Sequence, residues 1–296
     1  MLSFPNAKIN LGLNIIRKRE DGYHDLETVF YPVEFKDALE GIQLGVGSRE
    51  SGVGSLESGV GSLESGAGSG EPGVAFSSSG LTVSGDIKDN LCVKAWELLK
   101  KDFPDLPGLQ MHLHKIIPMG AGLGGGSADG AFALMMINRL CKLQLSEQQL
   151  ANYALQLGSD CPFFISNQPC FAGSRGEKLQ PVAIDLSGHH FVIVNPGIHI
   201  STANAFSQIT PRKPERSIID IIKLPIAQWK ELLVNDFEES AGNMHPEITN
   251  IKKELYNHGA VYASMTGSGS SVFGIFKGQP IPGFQFNPNW QAYPIK

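Results

Sequence analysis

Pro118-Met119-Gly120-Ala121-Gly122-Leu123-Gly124-Gly125-Gly126-Ser127-Ala128-Asp129 carries five glycines in twelve residues. Upstream, Leu109 to Ile117 alternates apolar and polar residues for most of its length, the pattern of a half-buried strand. Downstream, Ala128 to Leu140 has no proline, and Phe132, Met135, Met136 and Leu140 recur at helical spacing. A strand, a loop of small residues and a helix start make an anion cradle. Where no Cβ intervenes, backbone N–H groups can close on phosphate oxygens, and the positive end of the helix macrodipole points at them. The residues from Pro118 to Ala128 are therefore the candidate nucleotide-phosphate contacts. A flexible turn is the plain alternative, and firm periodicity on both sides argues against it.

Two familiar phosphate loops do not fit. Gly120, Gly122 and Gly125 match the spacing G-x-G-x-x-G, but no carboxylate stands about 20 residues on, as a dinucleotide site requires. Glu147 is the first acidic residue after Asp129 and opens another helix. A Walker A loop needs Lys-Ser/Thr after its last glycine, and Gly126-Ser127 stands there instead. This is a phosphate loop of a third kind.

The 296 residues suffice for two domains with proper cores, given 42% hydrophobic and 18% charged residues. A net charge of −5 offers no electrostatic case for nucleic acid or an anionic membrane surface, so phosphate affinity must be local. Cys92, Cys141, Cys161 and Cys170 lack CxxC spacing and read as reduced structural thiols. Residues 1–5 do not resemble a signal peptide, and no apolar run approaches membrane-spanning length. The expectation is a cytoplasmic protein, monomeric or homodimeric.

Elsewhere along the chain, Ala7 to Ile16 alternates strictly. Ile9, Leu11, Leu13 and Ile15 lie on one face and Lys8, Asn10, Gly12 and Asn14 on the other. That polar face is either solvated or turned into a cleft, and the residues alone leave both readings open. Asp21-Gly22 is a turn signal, followed by a strand from Tyr23 to Val33. From Gly45 to Gly73 the chain repeats Gly-Val-Gly-Ser-Leu-Glu-Ser. Two glycines in each copy cost about 2 kcal/mol of helix propensity, so a flexible loop insertion between strands is expected. Strand ends are expected at Val74–Phe76 and Leu81–Val83. A helix capped at Asp89-Asn90 follows, with Leu91, Ala95, Leu98 and Leu99 as its stripe.

Ser146 to Gln149 reads as a capping box, and Gly158 ends that helix. Asp160, in Gly158-Ser159-Asp160-Cys161-Pro162, is either a turn aspartate or a carboxylate whose basicity is tuned by apolar neighbours. Ile226, Trp229, Leu232, Leu233 and Phe237 mark one helix, and Pro246 to His258 another. Thr266-Gly267-Ser268-Gly269-Ser270-Ser271 joins two strands. It is a hairpin turn or, being long and glycine-rich, a phosphate or substrate contact. The tail from Gly278, with Pro280, Pro282, Pro288 and Pro294, is expected to be irregular.

Pro5-Asn6-Ala7-Lys8-Ile9-Asn10-Leu11, Asp21-Gly22-Tyr23-His24, the glycine loop and Thr266-Gly267-Ser268-Gly269 occur in the order found in the GHMP kinases. The chain resembles that superfamily, which covers galactose, homoserine, mevalonate and phosphomevalonate kinases, over nearly all its length except the repeat and the tail. The glycine loop is specific to the superfamily, while the first two motifs and Gly158–Pro162 point to a branch acting on a cytidine diphosphate sugar alcohol of isoprenoid precursor synthesis. The resemblance implies an α+β fold of two domains. The first, residues 1–170, would be similar to the second domain of ribosomal protein S5 and bind ATP. The second, residues 171–296, would be ferredoxin-like and lie on the substrate side. It further implies Asp160 as catalytic base with Lys8 as its partner. Tyr23 and His24 would recognise the cytosine, and Asn10, Thr202, Gly267, Ser268 and Gly269 would line the substrate site. ATP would be the phosphoryl donor and Mg²⁺ would ride mainly on its phosphates, with the Ser127 hydroxyl as a candidate ligand. Ala121 replaces the commoner second glycine of the loop, and Ser159 and Cys161 flank the aspartate where alanine and valine are common. A kinase for another small alcohol and a catalytically silent nucleotide-binding module on the same fold are the alternatives.

Overall fold

A computed structural model describes residues 1–44, 73–83, 85–278 and 287–295. The expected repeat insertion, save for Gly73, and residues 279–286 of the tail lie outside them. The chain forms two compact units that interleave along the sequence, whereas the division expected at residue 170 is continuous. One unit comprises 1–5, 36–116 and 126–165, and the other 6–35, 117–125 and 166–296.

The first unit is built on a four-stranded sheet in the order Leu2–Ser3, Ala38–Gln43, Leu109–Lys115 and Val74–Gly80. The last pair is parallel, with Val74 beside Leu109 and Gly80 beside Lys115. A parallel pair needs a crossover, and the helix Leu91–Asp102 supplies it. Asn90 caps that helix through Oδ1, which accepts from the Cys92 N–H at 2.9 Å. Its buried face is Cys92, Val93, Ala95, Trp96 and Leu99, so Leu98 is flanking rather than central. Leu81–Val83 does not continue the strand. Gly80 adopts φ +81°, where a Cβ would collide with the Lys115 carbonyl, and that carbonyl accepts from the Leu81 N–H at 2.8 Å. The Ser146–Gln149 capping box is formed in full and opens the helix Glu147–Leu157. The helix after the glycine loop spans Gly125–Leu140 and starts within the glycine run itself.

The second unit holds two four-stranded sheets. One orders Asn6–Lys18, His24–Lys36, Cys170–Ser174 and Lys178–Pro181, and the other Tyr262–Met265, Val272–Lys277, His189–Asn195 and Gln291–Ile295. Both faces of the latter are covered, which explains its unbroken apolar run. Phe191, Ile193, Phe273 and Ile275 pack with Ala7, Ile9 and Leu11. Val192, Val194, Val272 and Phe276 pack with Leu13, Ile15 and the Ile248, Ile251 and Leu255 face of the helix Pro246–Asn257.

Two expectations are corrected here. The helix read from Ile226 to Phe237 is broken into Trp229–Leu232 and Phe237–Met244. The interruption exists because the backbone of 234–236 bonds to the first long strand instead: Leu13 N–H donates to the Val234 carbonyl and Asp236 N–H to the Leu13 carbonyl, both at 2.8 Å. The tail is not irregular throughout, since Gln291–Ile295 forms an edge strand on His189–Asn195. Pro294 is tolerated there because an edge strand can leave one side of its backbone unpaired.

Candidate active site

The polar face of Asn6–Lys18 is not solvated: Lys8 is 3% exposed, Asn10 1% and Asn14 5%. Buried polar groups need partners, and here the partners form a chain. The Lys8 ammonium donates to Asn10 Oδ1 at 2.6 Å and lies 4.7 Å from the Phe30 ring centroid. Asn10 Nδ2 donates to Thr28 Oγ1 at 3.0 Å. The Asn10 N–H donates to Thr266 Oγ1 at 3.0 Å, and that hydroxyl reaches the Gly122 carbonyl at 3.0 Å. One hydroxyl therefore joins the Lys8–Asn10 pair to the glycine loop.

The loop itself is a backbone structure. Gly120, Gly122 and Gly124 take φ values of +64°, +79° and +70°, the left-handed region open to glycine. At Gly122 space alone would demand glycine, because a Cβ would strike the Thr266 carbonyl oxygen. The Leu123 carbonyl accepts from the Lys8 N–H at 2.9 Å and the Ala121 carbonyl from the Ser271 N–H at 3.2 Å. Thr266–Ser271 joins the two strands Tyr262–Met265 and Val272–Lys277 as a hairpin connection, and its backbone also bonds to the glycine loop. Pro118, Ala121, Leu123 and Gly125 are buried, while Met119 and Gly120 are exposed.

The Asp21-Gly22 turn is closed by the Arg19 N–H donating to the Tyr23 carbonyl at 2.8 Å. Hydrogen bonds from Arg19 hold the Asp21 carboxyl below its ordinary range, and those from Arg17 and Arg19 do the same for Asp25. Tyr23 is 56% exposed, with the Arg175 guanidinium 4.9 Å from its ring centroid. The His24 ring stacks on Phe206 at 4.8 Å and 19°. Partial burial, then the nearby Lys18 charge, lower its pKa, so the imidazole is neutral at pH 7 and offers one donor and one acceptor. Thr202, at the start of the helix Thr202–Ser207, has its hydroxyl 3.2 Å from that of Ser268. The Gly267 carbonyl accepts from Asn235 Nδ2 at 2.9 Å, and Gly269 takes φ +94°.

Gly126, Ser127, Ala128 and Asp160 belong to the other compact unit. Space beside Gly126 is open, and Ala128 is buried. The Ser127 hydroxyl hydrogen-bonds the Cys161 thiol, which burial pushes up to about 12. Asp160 is half-buried in the turn that follows Glu147–Leu157. Thr28, Phe30, Arg175, Phe206 and Asn235 are neighbours that sequence reasoning did not single out. A lone threonine or asparagine inside a strand or break has no pattern that distinguishes a site partner from an ordinary polar residue.

The model of the GHMP kinases N terminal domain matches residues 90–168 and that of the GHMP kinases C terminal domain residues 220–281. A 4-diphosphocytidyl-2-C-methyl-D-erythritol kinase of Bacteroides fragilis is 48% identical over 276 residues, 93% of this chain and 92% of that protein. One of Azobacteroides pseudotrichonymphae is 45% identical over 290 residues, covering 97% and 98%. A crystal structure of 4-(cytidine 5'-diphospho)-2C-methyl-D-erythritol kinase is similar with a TM-score of 0.75 at 27% identity, covering 94% of this chain and 91% of that one. A homoserine kinase structure from Cytophaga hutchinsonii, at a TM-score of 0.66 and 13% identity over 98% and 94% of the two chains, shares the fold. With relatives this similar over nearly the full length, the chain belongs to the 4-diphosphocytidyl-2-C-methyl-D-erythritol kinase family of the GHMP kinases.

Proposed function

We propose that this protein transfers the γ-phosphoryl group of ATP to the 2-hydroxyl of 4-diphosphocytidyl-2-C-methyl-D-erythritol, releasing ADP and the 2-phosphate, in the non-mevalonate route to isopentenyl diphosphate. The observation that carries the reading is the buried Lys8–Asn10 pair, hydrogen-bonded through Thr266 to a loop of left-handed glycines. A solvated face or a plain turn would need neither.

Phosphoryl transfer asks the protein chiefly for positioning and charge stabilisation. In this reading the loop from Pro118 to Ala128 cradles the ATP phosphates with its N–H groups. Asp160 accepts the hydroxyl proton at its carboxylate, and the Lys8 ammonium stabilises negative charge developing on the attacking oxygen. Tyr23 stacks on the cytosine, neutral His24 hydrogen-bonds its edge, and Asn10, Thr202 and Gly267 to Gly269 orient the alcohol. Mg²⁺, when bound, neutralises phosphate charge. It would be carried mainly by the phosphate oxygens and water, with the Ser127 hydroxyl as the candidate protein ligand. Residues 1–170 and 171–296 would then be the ATP-side and substrate-side halves, and the enzyme would act in the cytoplasm as a monomer or homodimer.

An ADP-release assay with 4-diphosphocytidyl-2-C-methyl-D-erythritol beside homoserine and mevalonate tests this. Turnover confined to the cytidine compound is expected. Turnover of either other alcohol alone would overturn the substrate, and tight ATP binding without any turnover would overturn the activity.

A further inference from the structure

We infer that Thr266, held in place by Asn235, is a positioning residue that couples the ATP loop to the Lys8–Asn10 side of the site. Thr266 is fully buried between three segments distant in sequence. Its hydroxyl accepts from the Asn10 N–H at 3.0 Å, and its single proton lies within reach of the Gly122 carbonyl at 3.0 Å and of Asn10 Oδ1 at 3.2 Å. The second acceptor already takes the Lys8 ammonium at 2.6 Å. Any displacement of Thr266 is therefore felt by both the glycine loop and the lysine.

Asn235 fixes the backbone on either side of Thr266. Its Nδ2 donates to the Met265 carbonyl at 2.8 Å and the Gly267 carbonyl at 2.9 Å, while Oδ1 accepts from the Phe237 N–H at 3.0 Å. Both of its amide N–H donors go to backbone carbonyls and its oxygen accepts from a backbone N–H, which marks it as a support. Its own position is set by the Val234 and Asp236 bonds to Leu13, three residues past Asn10 on the same strand. The broken helix at 233–236 thus has a use: a continuous helix would put Asn235 out of reach of these carbonyls. Close backbone contact completes the seat, since a Cβ at Gly267 would lie 3.1 Å from the Gly122 Cα.

The inference rests on the kinase reading, and the wild-type enzyme separates the two. If it turns over the cytidine alcohol, Thr266→Val, which removes only the hydroxyl, is expected to lower kcat by about 10- to 100-fold with a far smaller change in alcohol KM. Thr266→Ser, which restores the hydroxyl, should return kcat to within about three-fold of wild type. Asn235→Ser, which leaves the hydroxyl intact, should show the same kcat-weighted loss in a protein that still melts cooperatively. Near-normal kcat in Thr266→Val overturns the inference. So does equal impairment of Thr266→Val and Thr266→Ser, since a variant that keeps the hydroxyl would then fare no better than one that lacks it, or loss of the folding transition in both Thr266→Val and Asn235→Ser, which would make the cluster structural. If wild type turns over no alcohol, the kinase reading has failed, and ATP titration of the same variants still decides whether the hydroxyl sets the glycine loop.

Discussion

Asp129→Asn should make this protein gain stability relative to wild type as pH rises. Asp129 stands in the helix after the glycine loop, and its Oδ2 accepts from the Lys115 ammonium at 2.7 Å while Oδ1 is buried without a hydrogen bond from any of the described residues. Lys115 also donates to Asp37 at 2.5 Å, and the side chains of all three residues are at most 4% exposed. Burial pushes the Asp129 carboxyl up to about 7 from the ordinary 3.8; Lys115 opposes the rise and Asp37 adds to it, with Cys92 the remaining titratable neighbour. Burial pulls Lys115 down, but the two carboxylates outweigh it and keep it charged. A folded-state pKa above the unfolded one means the native state binds the proton more tightly. The resulting stability is complete below about pH 4 and is lost as pH rises to about 7. At about 1.4 kcal/mol per pH unit, the loss across that window is about 4 kcal/mol.

The Asp129→Asn variant imitates the protonated carboxyl and does not titrate, so it escapes this loss. Urea unfolding of both proteins from about pH 4.5 to about pH 8, at constant m, should show the stability difference moving toward the variant by at least about 2 kcal/mol. A difference flat with pH, or one moving toward wild type, would show that Asp129 is an ordinary ionised partner of Lys115 and would refute the reasoning.

Two further outcomes are expected. Gly122→Ala places a methyl against the Thr266 carbonyl at φ +79°, so a stability loss above about 2 kcal/mol and a ten-fold or larger rise in ATP KM should follow, read by thermal melting and initial rates; an unchanged KM would mean the loop does not hold phosphate. Asp160→Asn should lower kcat by about 10² to 10⁴ while ATP binding by calorimetry stays near wild type, and an enzyme left at full rate would remove Asp160 from the base role.

Much of the local structure was legible because short-range physics encodes it. The Ser146–Gln149 capping box, the Asn90 cap, the inward face of Pro246–Asn257 and the strand–loop–helix around the glycines all depend on residues within one or two turns of each other. Longer-range competition was not legible. The spacing of Ile226, Trp229, Leu233 and Phe237 is helical, yet hydrogen bonds to Leu13, more than 200 residues away, break the helix at Asn235. Prolines in the tail argue against a strand only where both sides of the backbone must pair, and Gln291–Ile295 takes an edge.

By itself the sequence determined that a glycine-rich loop lies between a strand and a helix, and which motifs flank it, because glycine content and apolar periodicity are properties of neighbouring residues. Only the tertiary structure decided whether the face of Lys8, Asn10 and Asn14 meets water or protein: Thr28, Glu27 and Thr266 come from other segments to satisfy it. The same holds for Lys115, whose spacing from Asp37 and Asp129 says nothing of an ion cluster until the sheet and helix bring all three together in a dry interior. Burial is a sum over distant parts of the chain, and alternation along one strand cannot report it.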